Sequence, residues 1–295
     1  ACHGGMGLAH VSCLVRQADM AVKEWEESER GMGIEQWSRC FQCKRRYTGS
    51  LQLALGWGCW KTYLSQPEGV PTARGVDLRG HAMNELANGL DNSRNHQEAL
   101  PVYEALIAMI KRTQPANSLY LLMMQANMAD CLHKGGDRCE EAIDLMRSVY
   151  AQTQSVHGRK DPNTIRTLYQ LAQMLNDNQH WVETKSLLNR EYLDLASKFY
   201  GAEHGLYFGM RSVFAEAIAF VGNFDFNSRA DVEEAEAMML EDVAKLRRIY
   251  GAHHGDVRHI EAVLLKTQTL LEMPTWADAP YWPAGVDVKT RWTRK

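Results

Sequence analysis

The sequence lacks a long hydrophobic run and carries little net charge. No segment contains 18 consecutive apolar residues, and the most apolar stretch, 50–64, is interrupted by Gln52, Lys61 and Thr62. A membrane-spanning helix needs about 20 such residues, so we expect no membrane span. The net charge of −3 argues against a broad nucleic-acid-binding surface. A cleavable signal pattern is also missing, and we expect a cytoplasmic protein.

Motifs of common active sites are missing as well. The sequence has no Gly-rich phosphate loop at a strand–helix junction and no Gly-x-Ser-x-Gly element. The carboxylate pairs Glu140-Glu141 and Glu233-Glu234 stand at predicted helix starts, where negative charge favours the helix dipole. We therefore assign no catalytic residue. The chain begins with Ala1 rather than Met, so we expect further residues upstream.

The sequence contains a short boundary motif that occurs three times. It reads Gly158-Arg-Lys-Asp-Pro162, Tyr200-Gly-Ala-Glu-His-Gly205 and Tyr250-Gly-Ala-His-His-Gly255. The glycines are 43 and then 50 residues apart, and an insertion at 224–230 accounts for the longer spacing. A period of this size indicates a stacked array of helical repeats.

The boundary motif has residues that suit the end of one helix and the start of the next. Gly201 and Gly251 suit the left-handed position that closes a helix. His-Gly or Asp-Pro follows, and Asn163 or Asp256 is then expected to start the next helix. The histidines are therefore interpreted as boundary residues rather than metal ligands.

The segment from about 77 to 272 is predicted to form helix pairs. In the first helix of each pair a small residue stands between apolar ones, which lets the neighbouring helix approach closely. These small residues are Ala87, Ala129, Ala172 and Ala215. The second helices are predicted at Gln97–Arg112, Cys139–Gln154, Trp181–Tyr200 and Asp231–Tyr250, followed by a capping helix at Asp256–Leu271.

The repeat boundary resembles that of kinesin light chain-type tetratricopeptide repeats, whose units run Gly-x-x-His-Pro-x-Thr. Here Gly158, Pro162 and Thr164 match, and Asp161 replaces the His. The other two boundaries keep the His and replace Pro by Gly. The resemblance covers about two thirds of the chain. It implies an all-α fold, a tetratricopeptide-type helical-hairpin superhelix, that binds other proteins.

Such an array has a concave groove lined by the first helices, in which a peptide can lie extended. Residues next to the small position, or two to three before it, are expected to face the groove. Amides can donate to and accept from a peptide backbone, and an arginine can hold a carboxylate. The predicted peptide-binding residues are Asn84, Asn88, Asn127, Arg166, Tyr169, Gln170, Gln173 and Asn176.

Five of the seven cysteines lie in the first 60 residues. Cys-x2-Cys and His-x2-Cys pairs each let two side chains reach one tetrahedral zinc ion from a tight turn. The alternative is a set of partly buried thiols without metal. Cys131 and Cys139 lie in predicted repeat helices and are expected to be small core residues. The candidate zinc ligands are Cys2, His10, Cys13, Cys40 and Cys43.

Their order resembles the second half of a RING-CH (RING-variant) zinc finger. The resemblance implies that His10 and Cys13 share one zinc ion, and that Cys2, Cys40 and Cys43 share another. The first three ligands of that family have no match here, and the gap before Cys40 is longer than usual, with a helix predicted at Leu14–Arg30. The block 56–63, Gly-Trp-Gly-Cys-Trp-Lys-Thr-Tyr, is similar to one in algal and protist proteins that join such a segment to such repeats.

The predicted organisation has four parts. Residues 1–49 form a partial zinc-finger segment, 50–76 a helix and linker, 77–272 the repeats and 273–295 a tail. The predicted function is a protein-interaction scaffold. The alternative is a substrate-recruiting E3 ubiquitin ligase of RING-CH type in the intact protein, with a ubiquitin-conjugating enzyme as partner and zinc as cofactor. On either reading this chain alone is not expected to be an enzyme.

Overall fold

The computed structural model describes residues 10–28, 32–224 and 229–272. Within these ranges the regular structure is helical and no β-strand occurs, so the all-α prediction is confirmed. Searched over the same ranges, no helix has the length and apolarity to cross a membrane. The helices are α1 Val11–Ser28, α2 Gly49–Tyr63, α3 Leu78–Asn92, α4 His96–Thr113, α5 Leu119–Gly135, α6 Cys139–His157, α7 Pro162–Asp177, α8 Trp181–Leu187, α9 Arg190–Tyr200, α10 Gly205–Phe224, α11 Arg229–Tyr250 and α12 Gly255–Glu272.

The chain divides into two compact units at Leu171, inside α7. In the N-terminal unit, α3 packs on α4 and α5 on α6, as the pairing predicts. Ala87 and Ala129 are fully buried, in keeping with a close approach of paired helices. Cys131 is also fully buried, as expected. Cys139 is not a core residue, because it begins α6 half-exposed, with its thiol bonded to Gly136 O at 3.3 Å.

In the C-terminal unit, α10 packs on α11 and α11 on α12. The prediction of one helix at Trp181–Tyr200 is wrong. The chain leaves α8 at Leu188, which is extended (φ −98°, ψ 109°) and fully buried. Asn189 then caps α9, since its Oδ1 accepts from Tyr192 N at 3.3 Å. A buried leucine and a strong capping residue thus outweigh helix continuity.

Gly158, Gly201 and Gly251 have positive φ angles, but Gly201 does not adopt the left-handed helical conformation that the sequence predicts. Gly158 and Gly201 combine φ 87° and 98° with ψ 162° and 147°. This region is essentially restricted to glycine. The chain therefore leaves the helix in an extended conformation instead of adding another helical turn.

The residues that start the next helices also differ from the prediction. Asp161 Oδ1 accepts from Asn163 N at 2.8 Å, so Asp161 caps α7 and Asn163 lies within it. His204 Nδ1 accepts from Leu206 N at 3.1 Å, and His254 Nδ1 from Asp256 N at 3.3 Å. The imidazoles thus do the work of a capping side chain at α10 and α12. The ring of His204 also lies 5.4 Å from that of Tyr200, and Tyr250 and His254 repeat this contact at 4.7 Å.

We predict that His204→Ala destabilises the C-terminal unit by about 1 kcal/mol, the usual cost of losing a helix cap. His204→Asn retains a side-chain acceptor at the cap and is expected to recover at least half of that loss. Urea denaturation followed by circular dichroism measures both. Equal destabilisation by Ala and Asn would contradict the capping role.

The N-terminal segment, which consists of α1 and the residues 32–48 that follow it, packs on α2 and α3 through aromatic and small residues. Trp37, in a short 3₁₀ helix at Gly33–Trp37, is 1% exposed and meets Tyr63 edge to face at 5.8 Å. At Gly56 a Cβ atom would lie 2.8 Å from Glu85 O, so only glycine allows α2 this close to α3. Cys59 is fully buried. The block 56–63 therefore contributes packing, although Trp57 is 42% exposed.

Two ionisable side chains of α3 are buried beneath this segment. His81 Nε2 and Glu85 Oε1 are 4.0 Å apart, and the side chains are 15% and 12% exposed. Burial raises the pKa of Glu85 to about 7, with Arg46 acting in the opposite direction. Burial lowers the pKa of His81 to about 4. Neither group favours its charged form in the folded protein.

The pKa of Glu85 predicts a stability loss as pH rises. A group whose pKa is raised on folding contributes stability fully below its unfolded pKa, about 4.3, and loses it as pH rises through about 7. Glu85→Gln removes the charge, so we expect it to raise stability at pH 8 by up to about 3 kcal/mol and to change little at pH 4.5. Thermal melts of both proteins at the two pH values measure this. A gain of the same size at both pH values would contradict it.

Candidate peptide-binding cleft and cysteine segment

A cleft of about 220 Å³ lies between α5 and α7 in the N-terminal unit. Helix α5 contributes four apolar residues and one amide to its lining, α7 contributes four polar residues, and α6 one threonine. The cleft therefore combines an apolar helix face with a polar one. The lining residues are Leu119, Leu122, Met123, Ala126, Asn127, Thr153, Asn163, Arg166, Thr167 and Gln170.

Helical spacing brings these side chains together. On α7, Asn163, Thr167 and Gln170 follow one another at intervals of four and three residues, which places them on one face. The lining residues of α5 follow the same spacing. The residues on the opposite faces, such as Ala129 and Ile165, are fully buried and hold each helix in place.

Arg166 is the cation of the cleft. It is half-buried, and its Nη2 donates to Asn163 Oδ1 at a long 3.3 Å. Within the part of the chain that the structure describes, no carboxylate forms an ion pair with it. By contrast, Arg211 in the C-terminal unit bonds to Asp242 and Glu241, each at 2.8 Å. Arg166 can therefore bind an anionic group of a ligand.

The two amides of the cleft are available for hydrogen bonding. Asn127 and Gln170 are half-buried, and neither side chain has a hydrogen-bond partner among the described residues. Thr167 is different, because its Oγ1 donates to Asn163 O within the same helix at 2.8 Å. A primary amide carries both donors and an acceptor, which matches the groups of an extended peptide backbone.

The structure brings three of the eight predicted peptide-binding residues into this cleft: Asn127, Arg166 and Gln170. The others do not line it. Tyr169 is half-buried and Gln173 is exposed, both elsewhere on α7, and Asn84 is half-buried on α3 with its Oδ1 enclosed and without a partner among the described residues.

Two of the predicted residues have structural partners. Asn88 Oδ1 accepts from Tyr103 OH at 2.8 Å, which links α3 to α4. Asn176 is 6% exposed, and its Nδ2 donates to Val213 O at 2.9 Å. A solvent-facing role for Asn176 is therefore wrong, because a buried carbonyl occupies its amide.

The apolar residues that line the cleft were not predicted from the sequence. Leu119, Leu122 and Met123 have the pattern of ordinary core residues of an amphipathic helix, and only their position four to eight residues before Asn127 connects them with a predicted site residue. Asn163 was expected to start a helix. Its second role, contacting Arg166 three residues later, follows from the helical spacing alone.

The candidate zinc ligands lie in two local turns, apart from Cys2, which is outside the described residues. Cys13 is in the first turn of α1, with its N–H bonded to His10 O at 3.0 Å, and both residues are exposed. Cys40 and Cys43 lie in a tight hairpin, in which Lys44 N donates to Cys40 O and Cys40 N to Arg45 O, each at 2.9 Å. Lys44 has a φ of 59° there.

Each turn contains one pair of residue types that can bind zinc. Among the described residues these four side chains do not converge into a group of three. The resemblance requires such a group only with Cys2.

The chain matches no protein-family model and no curated protein. Solved structures do resemble it. The nearly identical TPR-like repeats of a kinesin light chain-like protein from Podosopora anserina share 18% identity over 82% of this chain and 99% of theirs, with a TM-score of 0.50. A Q17M structure of the same protein gives 18% identity over 82% and 98%, with a TM-score of 0.51. A Rap protein complexed with competence and sporulation factor gives 11% identity over 88% and 65%, with a TM-score of 0.47.

The two similarities to the kinesin light chain-like repeats show the fold. The chain has the helix-hairpin fold of TPR-type repeat proteins, as the boundary motifs at Gly158, Gly201 and Gly251 indicated. At this level of identity the similarity does not extend to a ligand.

Proposed function

We propose that this protein is an interaction scaffold that binds an extended peptide segment in the α5–α7 cleft. The observation that carries the proposal is Arg166, a half-buried cation without a carboxylate partner among the described residues, beside an apolar helix face. A volume of about 220 Å³ is below the roughly 300–1,000 Å³ of small-molecule sites. It suits one side chain of a peptide better than a cofactor.

The groups of the cleft divide the recognition among them. An apolar ligand side chain packs against the half-buried Leu119 and Met123, which removes it from water. A nearby aspartate, glutamate or terminal carboxylate pairs with Arg166. Asn127 and Gln170 then bond to the peptide backbone and fix its direction. The preferred segment is therefore one in which an apolar residue stands next to an acidic one.

We predict that combining Asn127→Ala with Arg166→Ala weakens peptide binding by at least tenfold. The probe is a synthetic array of extended peptides that pair Leu, Phe or Trp with Asp or Glu, together with the same peptides carrying Lys instead of the acid. Binding is measured by fluorescence anisotropy. The acidic peptides are expected to bind the unsubstituted chain and the lysine peptides to bind it weakly or not at all.

Gln173→Ala is the matched control, since this exposed amide lies outside the cleft lining. It is expected to leave binding unchanged, and circular dichroism checks that each variant is folded. Arg166→Glu is expected to reverse the preference toward the lysine peptides. Equal binding by the unsubstituted chain and the double variant would refute the proposed site.

We propose as a second function a substrate-recruiting E3 ubiquitin ligase of RING-CH type in the intact protein. The observation that favours it is the pair of short turns at His10–Cys13 and Cys40–Cys43. Zinc would hold these turns in shape. A finger of this kind supplies no nucleophile, but positions a charged conjugating enzyme so that a substrate lysine can attack the thioester.

The ligase proposal predicts zinc-dependent autoubiquitination by the full-length gene product. Combining Cys40→Ser with Cys43→Ser is expected to abolish the activity and to lower the zinc content, measured by atomic absorption, by about one ion per chain. Cys139→Ser serves as control, because this thiol lies outside both turns. Absence of activity across a panel of conjugating enzymes would reject the ligase and leave the scaffold.

A further inference from the structure

Three metal-ligand side chains meet inside the N-terminal unit, away from the cleft and from the cysteine segment. Asp91 lies near the end of α3, His96 begins α4, and Cys131 lies on α5. One oxygen of Asp91, one ring nitrogen of His96 and the sulfur of Cys131 all lie within 4.8 Å of one another. Asp91 Oδ1 and His96 Nδ1 are 2.9 Å apart. Asp91 is 6% exposed and Cys131 fully buried.

We propose that Asp91, His96 and Cys131 form a binding site for a divalent transition metal of the Zn²⁺ class. Thiolate, imidazole and carboxylate are the three donor types that zinc takes from proteins. Three different helices supply them, so the site exists only in the folded protein. The proposal is independent of the peptide cleft and of the ligase.

The spacing of the three atoms is close to what a tetrahedral ion requires. Metal–ligand bonds of about 2.0–2.3 Å at tetrahedral angles place neighbouring donors about 3.3–3.6 Å apart. The present separations, from 2.9 Å to below 4.8 Å, bracket that range. Three protein ligands leave a fourth position for water. The side chain of His96 is 18% exposed, which gives the ion a route from solvent.

A second layer of contacts prepares the carboxylate. Lys134 Nζ lies 3.0 Å from Asp91 Oδ2, the oxygen that does not face His96. Such an outer partner orients a ligating carboxylate and leaves its other oxygen for the metal. Lys134 also pairs with Asp130, so its charge is already balanced. A divalent ion would then neutralise the Asp91 carboxylate and the Cys131 thiolate.

Binding must release a proton. Burial raises the pKa of Cys131 to about 12, and the thiol donates to His96 O at 3.7 Å. When the metal–sulfur bond forms, the S–H bond breaks and the proton leaves to solvent. The hydrogen that His96 Nδ1 shares with Asp91 Oδ1 moves to Nε2, so the imidazole stays neutral and only one proton is released. Metal affinity therefore rises with pH. The charged or titratable groups around the thiol are Asp91, His96, Tyr103, Asp130 and Lys134.

Cobalt(II) titration of the full chain tests this site, because a cobalt–thiolate bond gives a charge-transfer band in the near ultraviolet. The titration is done in a chain carrying Cys40→Ser and Cys43→Ser, which removes two exposed or half-exposed thiols that could also bind. Adding Cys131→Ser is expected to abolish one equivalent of thiolate-bound cobalt. Adding Cys139→Ser instead, a neighbouring thiol outside the cluster, is expected to leave it.

A second variant guards against misfolding of Cys131→Ser. His96→Gln, at a half-exposed position, is expected to weaken cobalt binding by at least tenfold with the fold intact by circular dichroism. Half-saturation is expected to need about tenfold less cobalt for each unit rise in pH, as release of one proton requires. A thiolate band unchanged by Cys131→Ser, or no such band before that substitution, would overturn the proposal.

Discussion

The close approach of paired helices at small residues is the constraint on which the rest of the structure depends. Ala87, Ala129, Ala172 and Ala215 have no exposed surface, and each stands on the first helix of a pair. A larger side chain at any of them would separate the two helices and open a cavity beside it. The same constraint fixes the rotation of each first helix. Polar residues such as Asn127 and Arg166 are thereby directed into the cleft rather than into the core.

The repeat boundaries complete this constraint by controlling how one pair leads to the next. Gly201 takes a backbone conformation that other residues avoid, and His204 then caps the following helix with its imidazole. At the Gly158 boundary, Asp161 does the same with a carboxylate. One motif thus has two chemical solutions, which explains why its fourth position varies between His and Asp in this chain.

Sequence reasoning predicted most helices because amphipathic periodicity and small residues are read from neighbouring positions. It failed where a local contact outweighs periodicity. The break at Leu188 and Asn189 depends on how deeply one leucine is buried, which spacing does not reveal. The same holds for Cys139, which begins α6 as predicted but bonds to Gly136 O there instead of packing in the core.

The candidate site could be predicted only in part, for a related reason. Periodicity tells which face a residue occupies, and Asn127, Arg166 and Gln170 were found in that way. Periodicity does not tell whether a side chain is already hydrogen-bonded within the protein, as Asn88 is to Tyr103 and Asn176 is to Val213. The cluster around Cys131 lies beyond sequence reasoning altogether, because its members come from three helices and share no motif.

The central claim is that a peptide lies in the cleft between α5 and α7. Hydrogen–deuterium exchange, with and without an acidic peptide selected from the array, tests it most directly. The account predicts that the peptide slows exchange in residues 119–127 and 163–170, because both helices are held when the cleft is filled. If the peptide slows exchange only outside these two segments, the account is contradicted.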